Sequence, residues 1–248
     1  MTATAALLLP GVLLLSLLSA PTTATAAPAP APATAAPAAQ TTDTVRLGGV
    51  SVRLRPGTTQ VVTANHRRGY HATVRFWTRT DSGWTSVLRT RDGRTGYGGL
   101  VLATQRVQGS GKTPLGTFRL PFAFGRHAAR DAWDPSYRKI RTGDYWVLDN
   151  QSDHYNRWRN KARGGFRWRL GASHPNASER LKSFPAQYEY AVATSFNRRQ
   201  VRHRGGAIFL HVNGSGATAG CVGAPRPFLR RTLRLLDQGS VPVIAIGR

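Results

Sequence analysis

The chain has 248 residues, with 35 Lys and Arg against 11 Asp and Glu, which gives a formal net charge of +24. A hydrophobic content of 40% with six Trp excludes a wholly disordered chain, and a single cysteine, Cys221, excludes a disulfide scaffold. The first charged residue is Asp43, so about 200 residues carry all of the charge, which is enough for one well-buried domain or two small ones.

Residues 1–27 are typical of an export signal. Residues 5–20 are apolar, and the small residues ATA at 24–26 match a cleavage site. Residues 28–44 are rich in Ala and Pro, which predicts an extended linker that cannot bury a core. A permanent membrane anchor is the alternative for the apolar run, but Pro10 and Gly11 interrupt it. We therefore expect an exported protein.

Residues 45–248 predict one mainly β domain. Alternating or clustered apolar residues predict strands at 61–62, 72–78, 84–88, 117–122, 145–148, 188–195, 207–212 and 241–246. One helix is predicted after Ala224 and Pro225, with its end at Gly239. Several short strands with a single helix favour a β-sandwich or a partly open barrel.

Residues 126–185 are rich in Arg, aromatic residues, Gly and Pro, which predicts a long loop insertion with little regular structure. Within it, residues 157–169 interleave six basic and three aromatic residues. This composition suits nucleic acid, and it suits anionic polymers and sugar faces equally well. A solvated basic loop is the alternative. Because we expect export, we expect no nucleic-acid partner.

The chemically informative residues lie near the C-terminus, in the segment HVNGSGATAGCV at 211–222. His211 ends an apolar strand, and a Gly-rich loop leads to Cys221 shortly before the predicted helix. The N-terminus of that helix would favour a thiolate, and a nearby imidazole can act as a base and then as an acid. Backbone N–H groups around Gly220 are candidate oxyanion donors. The alternative is a small buried cysteine beside a structural histidine, although an unpaired thiol in an exported protein favours a function.

These residues resemble a known family. TAGCV at 218–222, preceded by a strand that ends in His211, is similar to the L,D-transpeptidase (YkuD-like) catalytic domain of bacterial cell-wall enzymes. GKTPLGTF at 111–118 resembles the family's Thr-Pro-x-Gly-x-Phe turn. The resemblance covers about residues 95–247, with 126–185 as an insertion. It implies an L,D-transpeptidase-like β-sandwich or partly open barrel, with one helix after the cysteine.

The resemblance also implies a reaction on peptidoglycan stem peptides. Cys221 matches the nucleophile, which attacks the carbonyl of the third stem residue, usually diaminopimelate, and expels D-alanine. The side-chain amine of a second stem then takes the acyl group and forms a 3→3 cross-link. His211 matches the general base, Thr218 the Ser/Thr position and Gly220 the glycine before the cysteine. The implied location is extracytoplasmic, associated with the cell wall or secreted.

Two departures from the family pattern concern the acceptor side. Ala219 stands where the family has His, and Gly223 stands where it has Arg or Asn. The spacing from His211 to Cys221 is also shorter than usual. The choice between transpeptidation and hydrolysis by an L,D-carboxypeptidase therefore stays open. A non-catalytic basic wall-binding protein is the remaining alternative.

Two further residues are candidates for the site. Asn213 either orients His211 or binds substrate, or it closes its own turn. Tyr155, beside His154, either reaches the cleft or belongs to a structural loop cluster. No spacing of His, Asp and Cys is typical of zinc, so we expect no metal and no cofactor. The positive charge predicts binding to anionic cell-wall polymers, and the oligomeric state stays open.

Overall fold

The computed structural model describes residues 43–134 and 136–248. The predicted export signal and all but the last two residues of the predicted linker lie outside these ranges. The strands are β1 (Thr44–Leu47), β2 (Val50–Arg53), β3 (Gln60–His66), β4 (His71–Thr80), β5 (Gly83–Arg94), β6 (Leu100–Leu102), β7 (Thr113–Arg119), β8 (Ala123–Gly125), β9 (Arg138–Lys139), β10 (Asp144–Trp146), β11 (Trp158–Asn160), β12 (Glu179–Arg180), β13 (Tyr190–Ala193), β14 (Phe209–Val212), β15 (Val222–Ala224) and β16 (Val243–Gly247). The helix α1 spans Arg226–Leu235.

Eleven of these strands form one hydrogen-bonded sheet, so the prediction of a mainly β fold is confirmed. The strand order is β6-β7-β16-β3-β4-β5-β15-β14-β13-β8-β9. Between β5 and β15 the pairing consists of Arg94 opposite Gly223 alone. This narrow ladder divides the sheet into a first half, β6-β7-β16-β3-β4-β5, and a second half, β15-β14-β13-β8-β9. The β1–β2 hairpin covers one face of the first half, where Val50 and Val52 pack with Val243.

Strands from both halves bury their side chains in the same core. Val62, Phe76 and Ile244 of the first half belong to the same buried cluster as Leu210 and Val222 of the second half. Because the two halves share one core, the sheet folds over on itself as a sandwich, as the sequence predicted.

The helix α1 closes this core. It follows Pro225, a residue that suits a helix start, and it ends at Leu235, which is earlier than the predicted end at Gly239. Its buried face consists of Phe228, Leu229, Thr232 and Leu233. Throughout the described residues, no helix is long and apolar enough to cross a membrane.

The insertion 126–185 has more regular structure than the sequence predicted. It contains β9 through β12, and β11, β10 and β12 form a separate three-stranded sheet. Trp146 of this sheet packs edge-to-face against Phe209 of β14, with 4.8 Å between the ring centroids. The insertion therefore covers the face of the second half that points away from the shared core. Of these strands, β10 overlaps the strand predicted at 145–148. The strands β9, β11 and β12 have two or three residues each, which is too short to give an apolar alternation, so the sequence pattern did not show them.

An ion pair between a buried carboxylate and a partly exposed guanidinium links two segments of the insertion. Asp149 is 1% exposed and accepts hydrogen bonds from the Arg167 backbone N–H and guanidinium, with the Nη2–Oδ1 distance at 2.6 Å. The Gln151 N–H donates to the same carboxylate at 3.1 Å. The Arg167 hydrogen bonds lower the pKa of Asp149 to about 2.

We predict that Asp149→Asn destabilises the fold at pH 7 by about 1–3 kcal/mol, because buried charge-assisted hydrogen bonds are lost. The Asp149 pKa is lower in the folded state, so its contribution is present above about pH 4 and disappears as the pH falls towards 2. Urea unfolding at both ends of this range measures the effect. Asp153→Asn, at a fully exposed side chain, is the matched control, and equal effects from the two variants would contradict the prediction.

Candidate active site

The pairing of β14 with β15 determines where the predicted catalytic residues lie. The two strands are parallel, with Leu210 opposite Val222 and His211 opposite Gly223. Side chains alternate along a strand, so Leu210 and Val222 face the shared core. Cys221, one residue before β15, and His211 therefore lie on the opposite face, beneath the insertion.

Cys221 and His211 line one cavity of about 330 Å³, which we call the Cys221 cavity. Of the predicted site residues, Thr218 also lines it, whereas Gly220, Asn213 and Tyr155 are not among its lining residues. Ala219, which stands where the family has His, also lines the Cys221 cavity and is exposed. The insertion contributes Leu148, Glu179 and Phe184.

The Cys221 thiol is buried and hydrogen-bonded. It is 7% exposed, its Sγ donates to the Ala207 carbonyl oxygen at 3.1 Å, and the Phe209 N–H donates to Sγ at 3.4 Å. Burial raises the pKa of the thiol to about 12, and the Glu179 carboxyl acts in the same direction. The Phe209 N–H and the Arg106 guanidinium oppose this shift.

The expectation of a thiolate at a helix N-terminus was wrong for this conformation. The strand β15 separates Cys221 from α1, which begins at Arg226. Because the helix dipole acts mainly within the first turn, it does not offset the burial of the thiol. Cys221 is therefore a neutral thiol near pH 7 in the free protein.

His211 has one ring nitrogen engaged and a defined tautomer. Its Nδ1 lies 2.8 Å from the Val212 carbonyl oxygen, which can only accept, so Nδ1 carries the proton and Nε2 has a free lone pair. Burial lowers the pKa of the imidazole, which keeps it neutral and able to accept a proton. The Tyr188 ring packs edge-on against the imidazole at 5.7 Å between centroids.

The two family motifs meet at the backbone of Cys221. The Thr218 hydroxyl donates to the Cys221 carbonyl at 2.7 Å, and the Thr113 hydroxyl approaches the same carbonyl at 3.4 Å. The Gly96 N–H donates to Thr113 at 2.7 Å. Thr113 is the threonine of the Thr-Pro-x-Gly motif, which was expected as a turn and instead lies in the strand β7, so β7 supports the loop that carries the thiol.

Gly220 has a structural requirement of its own. Its φ is +127°, and a Cβ atom there would lie 2.9 Å from the Lys112 carbonyl and 3.0 Å from Arg106 Nη2. Only glycine fits this conformation and this space. The Gly220 N–H donates to the Thr218 hydroxyl at 3.1 Å, so it is not free to bind an oxyanion in this conformation.

Asn213 and Tyr155 have structural contacts. The Asn213 side-chain amide donates to the Asp92 carbonyl at 2.6 Å and does not bond His211. A Cβ atom at Gly223, the position where the family has Arg or Asn, would lie 2.6 Å from Asn213 Oδ1. Asn213 therefore fills the space beside Gly223. Tyr155 is fully buried, and its hydroxyl donates to Gln108 and accepts from the Gly205 N–H, both at 2.7 Å.

The sequence did not indicate three side chains at the cavity, which are Glu179, Tyr188 and Arg106. Glu179 accepts a hydrogen bond from the Tyr188 hydroxyl. Arg106 is buried, and its Nε donates to the Lys112 carbonyl at 2.8 Å. One signal was available for Glu179, because the whole sequence contains only two glutamates. Nothing distinguishes Arg106 among 31 arginines.

Comparison with known families identifies the class of protein. The chain matches YkuD, the L,D-transpeptidase catalytic domain, over residues 75–244, which is more than half of its length. The chain therefore belongs to the L,D-transpeptidase catalytic domain family. The match starts earlier than the predicted residue 95 and so includes most of β4 and all of β5. A comparison with individually curated proteins gives no match. Within the described residues, no group of three or more His, Cys, Asp or Glu could hold a metal ion.

We predict that iodoacetamide modifies Cys221 slowly at pH 7, and that the rate rises about tenfold per pH unit towards pH 10 without a plateau. The reason is the raised pKa of about 12, which leaves the thiolate fraction small and growing over the whole range. Mass spectrometry measures the rate at which the single thiol is modified. The control is the urea-unfolded chain, whose thiol has a pKa of about 8.5. A plateau near pH 7 in the folded protein would contradict the prediction.

Proposed function

We propose that this protein is a peptidoglycan L,D-transpeptidase that forms 3→3 cross-links through a Cys221 acyl-enzyme. Membership of the family supports this class of reaction. The observation that carries the proposal is that Cys221 and His211 line the same cavity, with His211 Nε2 free to accept a proton. The predicted export signal and the substrate class together favour an extracytoplasmic location.

In the first step, the thiol proton passes from Cys221 to His211 Nε2 as the sulfur attacks the carbonyl of the third stem residue. The amide bond to D-alanine then breaks, and the departing amine takes the proton from His211, which leaves a thioester. A buried neutral thiol suits a transfer coupled to attack, because a free thiolate would be costly in this cavity. The imidazolium formed in between compensates the developing negative charge.

In the second step, an amine from another stem attacks the thioester and forms a new amide, and the thiol leaves protonated. An L,D-carboxypeptidase would use water in place of this amine. Product analysis separates the two, since the transpeptidase gives dimers and the carboxypeptidase gives tripeptide monomers. A non-catalytic wall-binding protein would give neither product.

We predict that the purified protein, incubated with disaccharide-tetrapeptide, gives cross-linked dimers, and that a carbapenem gives one covalent adduct at Cys221. Cys221→Ala should abolish both, because it removes the nucleophile. His211→Ala should slow acylation by about 10²–10⁴-fold, because it removes the base. Mass spectrometry measures both products.

The matched control for the histidine is His174→Ala, at an exposed position outside the Cys221 cavity. It should acylate at the rate of the unmodified protein. If folded protein with an intact thiol gives neither adduct nor product, the catalytic proposal fails and the wall-binding alternative remains.

A second surface supports binding to anionic wall polymers. A groove of about 590 Å³ in the insertion, which we call the basic groove, is lined by several cationic residues. They are Arg138, Lys139, Arg141, Arg159 and Arg163. Asp144 is its one acidic lining residue, and its carboxylate accepts from Asn160 and from the Arg141 backbone N–H. The groove therefore offers a concentrated positive surface to phosphate-rich polymers.

We predict that the combined change Arg141→Gln and Arg163→Gln weakens retention on isolated cell wall, because both residues are exposed in the basic groove. Retention should also fall steeply with salt, since exposed charges are screened over about 10 Å at 0.1 M. Arg230→Gln with Arg231→Gln removes the same charge from the exposed side of α1 and is the control. Equal losses in both pairs would indicate attraction by net charge alone, and salt-insensitive retention would contradict an electrostatic mode.

A further inference from the structure

Glu179 is an unusual acid for this protein. Basic residues outnumber acidic ones by 35 to 11, yet among the described residues no Lys, Arg or His forms an ion pair with Glu179. The other glutamate, Glu189, pairs with Arg226 at 2.6 Å and with His127 at 3.0 Å. A half-buried carboxyl without a cationic partner is costly unless something else compensates it.

The position of Glu179 links it to the reaction. It lies in β12, opposite Trp146 of β10, and it lines the Cys221 cavity together with the thiol and His211. The Tyr188 hydroxyl donates to its carboxyl, and the same tyrosine ring packs against the imidazole. The carboxyl, the imidazole and the thiol therefore all line this cavity.

The charge of Glu179 does not assist the nucleophile. Removal from water raises the pKa of its carboxyl to about 7, and its negative charge contributes to the raised pKa of Cys221. Tyr188, His211, Cys221 and Arg106 are the titratable and charged groups at this cavity. Arg106 is directed to the Lys112 and Arg204 carbonyls and not to Glu179. A carboxyl that opposes thiolate formation must serve another stage of the reaction if it serves the reaction at all.

The second step supplies a partner that suits this carboxyl. An alkylamine acceptor is a cation at neutral pH, and it must lose a proton before it can attack a thioester. A carboxylate without a cationic partner at the cavity wall attracts such an ammonium group and can accept its proton. In the donor step the reacting groups are a neutral thiol and a neutral amide, so that step requires no carboxylate to take a proton from an ammonium group.

We propose that Glu179 binds the ammonium group of the acceptor stem in the Cys221 cavity and accepts its proton before attack on the thioester. This inference rests on the proposed function. The ammonium group gives one proton to the carboxylate, which leaves a neutral amine and a carboxylic acid. The amine then forms the new amide bond as the carbon–sulfur bond breaks. His211 takes the second proton from the attacking nitrogen and delivers it to the departing Cys221 sulfur, so atoms and charge balance.

The test compares two nucleophiles on the same acyl-enzyme. Disaccharide-tetrapeptide forms the thioester, and a tripeptide stem with a free diaminopimelate amine competes with hydroxylamine, which is largely uncharged at pH 7. Mass spectrometry gives the ratio of cross-linked product to hydroxamate. Glu179→Gln should lower this ratio by about tenfold or more, because it loses the attraction for the cation and the proton acceptor. Glu179→Asp, which keeps the charge, should retain part of the ratio.

Two controls separate acceptor binding from a structural role. Asp81→Asn removes the same charge from the exposed turn between β4 and β5 and should leave the ratio unchanged. Tyr188→Phe removes the hydroxyl that stabilises the Glu179 carboxylate, so the pH at which amine transfer becomes half-maximal should rise. The acceptor amine titrates identically in each protein, so it does not contribute to the difference between the pH profiles.

The outcomes are distinct. An unchanged ratio in Glu179→Gln would overturn this inference and leave the proposed function intact. If both yields are also undiminished, Glu179 has no role in the reaction, and if both yields fall equally, its role is structural. If the unmodified protein forms no acyl-enzyme, the proposed function fails and this inference fails with it.

Discussion

The parallel register of β14 and β15 is the constraint on which the site depends. Leu210 opposite Val222 places the core residues on one face and His211 with Cys221 on the other. A slip of one residue in either strand would move its catalytic candidate into the shared core and place an apolar side chain in the Cys221 cavity. The apolar core therefore fixes the positions of the polar residues, because the shared core suits Leu210 and Val222 and offers an imidazole no hydrogen-bond partner.

The loop between these strands is held by hydroxyl groups from two distant parts of the chain. Thr218 and Thr113 both reach the Cys221 carbonyl, and Gly220 fits a gap bounded by Lys112 and Arg106. The family's two motifs thus form one supporting structure for the thiol. A nucleophile held by its backbone needs little reorganisation when the substrate arrives, which is how a fixed geometry lowers a barrier.

The electrostatics of the cavity differ from those of the protein surface. The surface is strongly positive, and the basic groove in the insertion concentrates this charge. The Cys221 cavity instead holds a neutral thiol, a neutral imidazole, a carboxyl that lacks a cationic partner in the described structure, and a single cationic group, the buried Arg106 guanidinium. The insertion produces this contrast, because it covers the outer face of β14 with Trp146 and adds Glu179 to the wall. Removal of water disfavours the charged forms of the thiol, the imidazole and the carboxyl until a substrate brings compensating charge.

The sequence by itself determined the β-rich class, the helix after Pro225 and the positions of His211 and Cys221 at the two ends of one Gly-rich loop, because alternation, proline and glycine are local signals. It did not determine the state of the thiol, since the three-residue strand β15 is too short to give an apolar pattern and it separates Cys221 from the helix. The strands β9, β11 and β12 of the insertion were hidden for the same reason, whereas β10 overlaps the strand predicted at 145–148. Glu179, Tyr188 and Arg106 join the cavity from segments far apart in the chain, and only the tertiary structure decided their contacts. Burial then decided their charge, because the cost of ionisation depends on the surroundings that the folded chain provides.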